Sequence, residues 1–236
     1  MSPKAVVLLS GGLDSTTLFY RLAEEGYDLH GLSCDYGQRH RKEMEFARRT
    51  AARLGAAYDI VDLTSITHLL ATSALTNPSI DIPEGHYEGE TMRITVVPNR
   101  NAIMLTAAFG VAQSIGASVV AVAVHSGDHA IYPDCRKEFI ERFQEMQDAS
   151  LGEHIELRTP YLQTDKVAIA REAGQLGVPL AETWSCYKGD AHHCGRCGTC
   201  VERAWAITEA GLPDPTRYQD PGFWRQVMGE RAVVVS

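Results

Sequence analysis

Hydrophobic residues in the first half of the chain alternate between two spacings. Ala5-Val6-Val7-Leu8-Leu9 is an unbroken apolar run, the pattern of a strand buried on both faces of a parallel sheet. From about Asp14 the spacing lengthens, with Leu18 and Leu22 four apart, and predicts a helix that stops at Gly26. Leu29 to Cys34 reads as a second strand. Arg41 to Leu54 reads as a helix, because Met44, Ala47, Ala51 and Leu54 share a stripe and Gly55 follows as a stop; Tyr58 to Leu63 reads as a third strand. A β-α-β-α-β run of this kind predicts a parallel sheet with right-handed crossovers.

Between residues 64 and 91 the periodicity fails, interrupted by Pro78, Pro83, Gly85 and Gly89. A stretch this long without elements reads as a lid or substrate-facing loop, or equally as a passive insertion. Asn101 to Ile115 returns to a helix with two apolar stripes, Met104-Ala108-Val111-Ile115 and Leu105-Phe109-Ala112. A helix apolar on more than one face is deeply buried or sits at a subunit interface, and on that ground a homodimer is expected. Val119 to Val124 predicts a further buried strand, Cys135 to Ala149 a helix with Phe139 and Phe143 four apart, Ile155 to Leu157 a short strand, and Asp165 to Leu176 a helix with Asp165 near its cap. The cysteine-rich tail differs in character from all of this. The expected division is an α/β domain over residues 1–182 and a C-terminal segment, 183–236, packed on the same domain.

Composition narrows the function classes. The chain has 236 residues, of which 44% are hydrophobic, enough for a sizeable core. Its formal net charge of -8 argues against a broad electrostatic footprint for nucleic acid and favours a small-molecule partner. No apolar run approaches a membrane span, and Met1-Ser2-Pro3-Lys4 leads straight into a short strand without the longer apolar stretch of a signal peptide, so a cytoplasmic protein is expected. The cysteines are Cys34, Cys135, Cys186, Cys194, Cys197 and Cys200. In a reducing compartment an even count does not imply disulfides, and the crowding of four into one segment points to a metal.

Two segments carry candidate chemistry. Leu9-Ser10-Gly11-Gly12-Leu13-Asp14-Ser15-Thr16-Thr17 joins the first strand to the first helix. Phosphate is held by backbone N–H donors and the positive end of a helix dipole, and a glycine turn opening a helix offers both. Gly11 and Gly12 remove side chains from the approach, while Ser10, Ser15 and Thr16 add hydroxyls. There is no lysine of a Walker A loop and no GxGxxG of a dinucleotide fold. The plainer reading is a glycine turn with a capping residue. Cys186, Cys194, Cys197 and Cys200 follow the spacing C-x7-C-x2-C-x2-C, suited to a closed tetrahedral Zn²⁺ site of structural type, with Gly195 and Gly198 at the tight turns. A redox cysteine pair or an iron–sulfur cluster fits the residue types too, and His192 or His193 is a possible substitute ligand.

The string Ser10-Gly11-Gly12-Leu13-Asp14-Ser15 resembles the pyrophosphatase loop of the N-type ATP pyrophosphatase superfamily. That resemblance implies an open parallel-sheet, Rossmann-like fold of the adenine nucleotide alpha hydrolase type. It also implies that the loop grips the outer phosphates of ATP while a substrate oxygen attacks the α-phosphate. Further strings narrow the family: Asp35-Tyr36-Gly37-Gln38-Arg39-His40, Val97-Pro98-Asn99-Arg100-Asn101, Gly127-Asp128-His129 with Tyr132-Pro133-Asp134-Cys135-Arg136, and Thr183-Trp184-Ser185-Cys186-Tyr187. In this order, with the loop and the cysteines, they resemble the 7-cyano-7-deazaguanine synthase family of queuosine biosynthesis over residues 5–218.

The resemblance implies adenylation of 7-carboxy-7-deazaguanine, displacement of AMP by ammonia, and a second adenylation that turns the amide into a nitrile. It implies ATP binding by Leu9 through Phe19, that is Leu9, Ser10, Gly11, Gly12, Leu13, Asp14, Ser15, Thr16, Thr17, Leu18 and Phe19, with Mg²⁺ placed by Asp14. The end of the second strand near Cys34 and Asp35 is expected to meet adenosine. Arg100 and Lys166 are candidates for stabilising charge at the transferring phosphate, or else surface ion pairs. Asp128, Asp134 and Arg100 are candidates for holding the deazaguanine, with a second Mg²⁺ site as the other reading of the two aspartates and a helix cap as a further one for Asp134. Cys34 and Cys135 read either as thioester nucleophiles or as buried free thiols. A tRNA thiolase or lysidine-type synthetase, an adenylate passed to another amine, and a zinc-ribbon interaction module are the competing functions.

Overall fold

The computed structural model describes residues 2–234. Five strands form, β1 (Lys4–Leu8), β2 (Asp28–Asp35), β3 (Ala57–Asp62), β4 (Val119–Ala121) and β5 (Glu156–Arg158). They pair in the order β3-β2-β1-β4-β5, every pair parallel. The helices are α1 (Leu13–Glu24), α2 (Glu43–Arg53), the single turn α3 (Gly89–Met92), α4 (Arg100–Ile115), α5 (Lys137–Leu151), α6 (Lys166–Gln175), α7 (Gly198–Glu209) and α8 (Phe223–Val234).

β1 shows why its run had to be apolar throughout. Val6 and Leu8 point into one core with Leu105, Phe109 and Phe143 of α4 and α5, whereas Ala5 and Val7, together with Leu9 beyond the strand end, point into a second core with Leu18, Phe19 and Ile169 of α1 and α6. A period of two on a strand covered by helices on both sides demands hydrophobic residues at every position. β3 is one of the two edge strands, and Ile60 is 49% exposed on it.

The helix ends obey local chemistry. Asp165 caps α6 through a 2.7 Å bond from Ala168 N–H. Gly116 and Gly152 close α4 and α5 in the left-handed conformation. Asn99 before α4 is the one non-glycine residue with positive φ among those described, at 57°. Asparagine tolerates that conformation, and the bend it makes launches α4 with Arg100 as its first residue.

Several expectations shift. The ladder of β4 ends at Ala121, and residues 122–124 leave the sheet to line a cavity. α5 starts at Lys137, because Pro133–Cys135 forms a separate 3-10 turn. Residues 64–91 are not featureless: a 3-10 helix covers Thr64–Leu70, and Ala74, Leu75 and Ile82 pack as a wall against the four cysteines. The apolar character of α4 is used up inside the chain, since Leu105, Ala108, Phe109 and Ala112 face the sheet and α5 while Thr106, Gly110, Gln113 and Ser114 face outward. The tail holds α7 and α8, neither of them anticipated. α7 packs on α6 through Ala206, Ile207, Ala170 and Ala173, and Trp184 N–H donates to Gly11 O at 2.8 Å, tying the tail to the turn after β1.

Candidate active site and metal centre

The strand order reverses between β1 and β4, so the connections leaving their C-terminal ends part and open a crevice. A cavity of about 220 Å³ occupies it, lined by the turn after β1, the ends of β2 and β4, and the starts of α2, α4, α6 and α7.

The turn after β1 is shaped by close packing. Gly11 has φ 82°, and a Cβ there would overlap the carbonyl oxygen of Glu43. Its lack of a side chain therefore serves the approach of α2, whereas Gly12 is the glycine that borders the cavity. The Ser10 and Ser15 hydroxyls bond each other at 2.9 Å, and Ser15 Oγ accepts from Ser10 N–H at 3.2 Å. α1 then begins with no side-chain cap, which leaves its first N–H groups open at the positive end of the helix.

Leu9, Ser10, Gly12, Leu13, Asp14 and Ser15 line the cavity. Thr16, Thr17, Leu18 and Phe19 do not. They are fully buried beneath the turn, with Thr17 Oγ1 donating to Leu13 O at 2.7 Å and Leu18 and Phe19 in the core. These four support the site from below.

Lys166, the first residue of α6, reaches Asp14 Oδ2 at 2.6 Å and Glu202 Oε2 of α7 at 3.4 Å. Burial raises the Asp14 carboxyl, but Lys166, His125 and Arg203 outweigh it and hold it below the ordinary carboxylate value. Burial works against the Lys166 ammonium, yet Asp14 and Glu202 raise it above the usual lysine range. Asp14 Oδ1 is buried without a partner. An anionic oxygen left in that state fits a cation ligand, and carboxylate with phosphate oxygens is the donor set Mg²⁺ takes.

At the other end of the cavity stands Arg100. Its guanidinium lies 5.4 Å from the Tyr132 ring centroid and 5.9 Å from that of Tyr36, and no carboxylate forms an ion pair with it among the described residues. Burial opposes its charge, but Tyr36, Tyr132, Tyr187 and Cys135 keep the proton on well above the free value. A cation held in an aromatic cage without an anion is prepared for a flat, negatively charged ligand. The surface-ion-pair reading of Arg100 fails on this geometry.

The aspartates part company. Asp128 lines the cavity, accepting from Tyr87 Oη at 3.1 Å and from His125 N–H at 3.3 Å. Asp134 does not line it; its Oδ2 accepts Asn101 N–H at 2.9 Å and so caps α4 rather than the helix that follows it in sequence. Asp35 is likewise engaged, by Arg41 and by Gly37 N–H, while Cys34 does border the cavity. Cys34 and Cys135 are both buried, and burial pushes the Cys34 thiol up to about 12 and the Cys135 thiol higher still. Neither is poised as a thiolate.

Tyr36, His40, Glu43, Tyr187 and Glu202 also face the cavity. The first two and Tyr187 lie in strings already singled out. Glu43 stands near the start of a helix, where an acid carries no signal of a site, and Glu202 sits on a helix that the tail's composition concealed.

The four cysteine sulfurs lie within 4.8 Å of one another and all four residues are buried. Backbone N–H groups of Cys197 and Arg196 point at Cys194 Sγ, at 3.2 and 3.4 Å, and Cys194 N–H points at Cys186 Sγ at 3.3 Å. Such donors stabilise thiolates, so the cluster fits a metal. His193 stands outside it, its Nε2 accepting from Ser185 N–H at 3.1 Å. Cys197 and Cys200 open α7, which carries Glu202 into the active-site cavity.

The chain is 54% identical to 7-cyano-7-deazaguanine synthase of Paracoccus denitrificans over 97% of its own length and 98% of that protein's. It is also 54% identical to the enzyme of the same name from Brucella anthropi, over 97% and 99%. Among solved structures it is similar to NMN synthetase from Francisella tularensis, with a TM-score of 0.50 and 13% identity, covering 95% of this chain and 84% of that one, a likeness of fold alone. The family model described as queuosine biosynthesis protein QueC matches residues 4–211, and this chain belongs to that family.

Proposed function

We propose that this protein converts 7-carboxy-7-deazaguanine and ammonia to 7-cyano-7-deazaguanine, a ligase reaction that forms AMP and pyrophosphate from ATP in each of two adenylations. The observation that carries the reading is one cavity with two unlike ends: an uncapped helix start beside the partnerless Asp14 Oδ1, and a caged Arg100 without an anion.

The open N–H groups of Leu13, Asp14 and Ser15 and the Ser10 hydroxyl hold the outer phosphates. Asp14 Oδ1 holds Mg²⁺, which neutralises phosphate charge when bound. Lys166, fixed between Asp14 and Glu202, stabilises negative charge as a substrate oxygen attacks the α-phosphorus. Arg100, with Tyr36 and Tyr132, receives the planar acid and turns its carboxylate toward the phosphate turn. Asp128, pinned by Tyr87 and His125, faces the purine-like edge.

One arrangement serves both cycles. A carboxylate oxygen and an amide oxygen are poor leaving groups, and adenylation repairs each in the same way. The four cysteines hold a structural Zn²⁺ that keeps the start of α7, and with it Glu202, in place. The tail from residue 183 thereby acts as part of the catalytic domain. Six cysteines with no disulfide among them suit a reducing cytoplasmic setting. We also propose a homodimer, which sedimentation tests.

Incubation with ATP, Mg²⁺, ammonia and 7-carboxy-7-deazaguanine, followed by mass analysis, is expected to give the nitrile with AMP. Absence of a nitrile, with the amide or another conjugate accumulating, would sink this reading.

A further inference from the structure

Glu43 carries a largely buried carboxyl group on the cavity wall, its side chain 14% exposed, for which the roles above have no use. It opens α2, and its main chain rests on Gly11, so it is fixed beside the phosphate turn. Its side chain faces the other way along the cavity, toward the Arg100 cage. Gln38 Nε2 donates to Glu43 Oε1 at 3.1 Å, and His40 Nε2 stands 3.5 Å from Oε2. Gln38 is itself locked, accepting from Tyr36 N–H at 2.9 Å and donating to Cys34 O at 3.2 Å. The carboxyl group is thus held at the junction of the two ends of the cavity, where the carbon of an adenylated substrate has to lie.

The groups that face Glu43 are His40 and Tyr36 from the loop after β2, Tyr58 on β3 and Arg100 on α4. Burial pushes the Glu43 carboxyl up to about 8, with Gln38 and Arg100 opposing it only in part. Burial, with Arg100 and Arg39, pushes His40 down to about 3, so its imidazole is neutral. His40 Nδ1 is buried without a partner. A carboxyl group beside a neutral imidazole and set against a cationic arginine can lose and regain its proton near pH 8.

The reaction has a matching need. Attack by ammonia on the acyl adenylate forms a carbon–nitrogen bond, breaks the carbon–oxygen bond to AMP and leaves one proton to be taken from nitrogen. In the second cycle the amide oxygen displaces pyrophosphate, the carbon–oxygen bond to AMP breaks, and nitrogen loses its two remaining protons. We propose that Glu43, supported by Gln38 and His40, is the general base that removes these protons from the substrate nitrogen and returns each to solvent between steps. This rests on the synthase reading above.

The two are separated by measuring ATP–pyrophosphate exchange with 7-carboxy-7-deazaguanine alongside nitrile formation. Glu43→Gln is expected to keep exchange within about threefold of the wild type while nitrile formation falls by about 100-fold or more. The wild-type nitrile rate is expected to climb with pH up to about 8, and this limb is expected to vanish in the variant. Full nitrile activity with an unchanged pH profile overturns the proposal. So does a parallel loss of exchange with a raised KM for the acid, which would make Glu43 a purine reader. Should Glu43→Gln fail to fold, Glu43→Asp carries the same comparison, with exchange kept and nitrile formation slowed. Failure of the wild type to exchange with this acid would instead remove the synthase reading.

Discussion

Lys166 shows how much of the site depends on single side chains. It is the only ammonium between Asp14 and Glu202 among the described residues, and both carboxyl groups are largely shielded from water. Lys166→Met would leave two acids facing each other. Breaking such a pair by removing one partner costs about 3 kcal/mol, although the intact pair is worth less than that on balance. The cost has a pH signature. Asp14 is held below its ordinary value, so the stability it contributes is present above the unfolded value of 3.8 and is lost as pH falls through its folded value. Glu202 is raised by burial and takes its proton sooner. Denaturant melts should therefore show the Lys166→Met deficit largest at neutral pH and shrinking below about pH 4. A deficit independent of pH would mean that Lys166 acts through packing.

At this scale the sequence was uneven as a guide. Gly11 and Gly12 stood out as a pair, but only packing separates them, one yielding to the Glu43 carbonyl and the other bordering the cavity. Asp134 was credible as a ligand-facing acid because a polar residue before a helix carries no mark of which helix it will cap. Glu43 was invisible for a similar reason: an acid in a first turn normally faces water and the helix dipole.

Elements were far more legible. Continuous apolar runs of five or six residues belong inside a sheet covered on both faces, so β1 and β4 followed from pattern alone, and α1 and α2 from their apolar stripes. α7 did not, because its start is dictated by cysteine geometry rather than by an apolar stripe. That origin yields a prediction. Removing metal with a strong chelator frees Cys197 and Cys200, and the first turn of α7 has no side-chain cap to replace them. Hydrogen exchange in residues 183–209 should rise by more than about tenfold, while β1 and α1 keep their protection. Uniform exchange before and after chelation would show that the cysteines do not organise this helix.

The whole molecule places its cavity where topology opens it, at the reversal between β1 and β4, with the uncapped start of α1 on one side and an aromatic cage on the other. Its net charge of -8 argues against a polyanion spread over its surface. No helix among the described residues is long and apolar enough to cross a membrane.

The account turns on which phosphorus the substrate oxygen meets. The decisive measurement is turnover of 7-carboxy-7-deazaguanine carrying ¹⁸O in its carboxylate, with mass analysis of the nucleotide released. Attack at the α-phosphorus in both cycles predicts that each labelled oxygen leaves in AMP, with two AMP formed per nitrile. Label in inorganic phosphate, with ADP as the nucleotide, would contradict it.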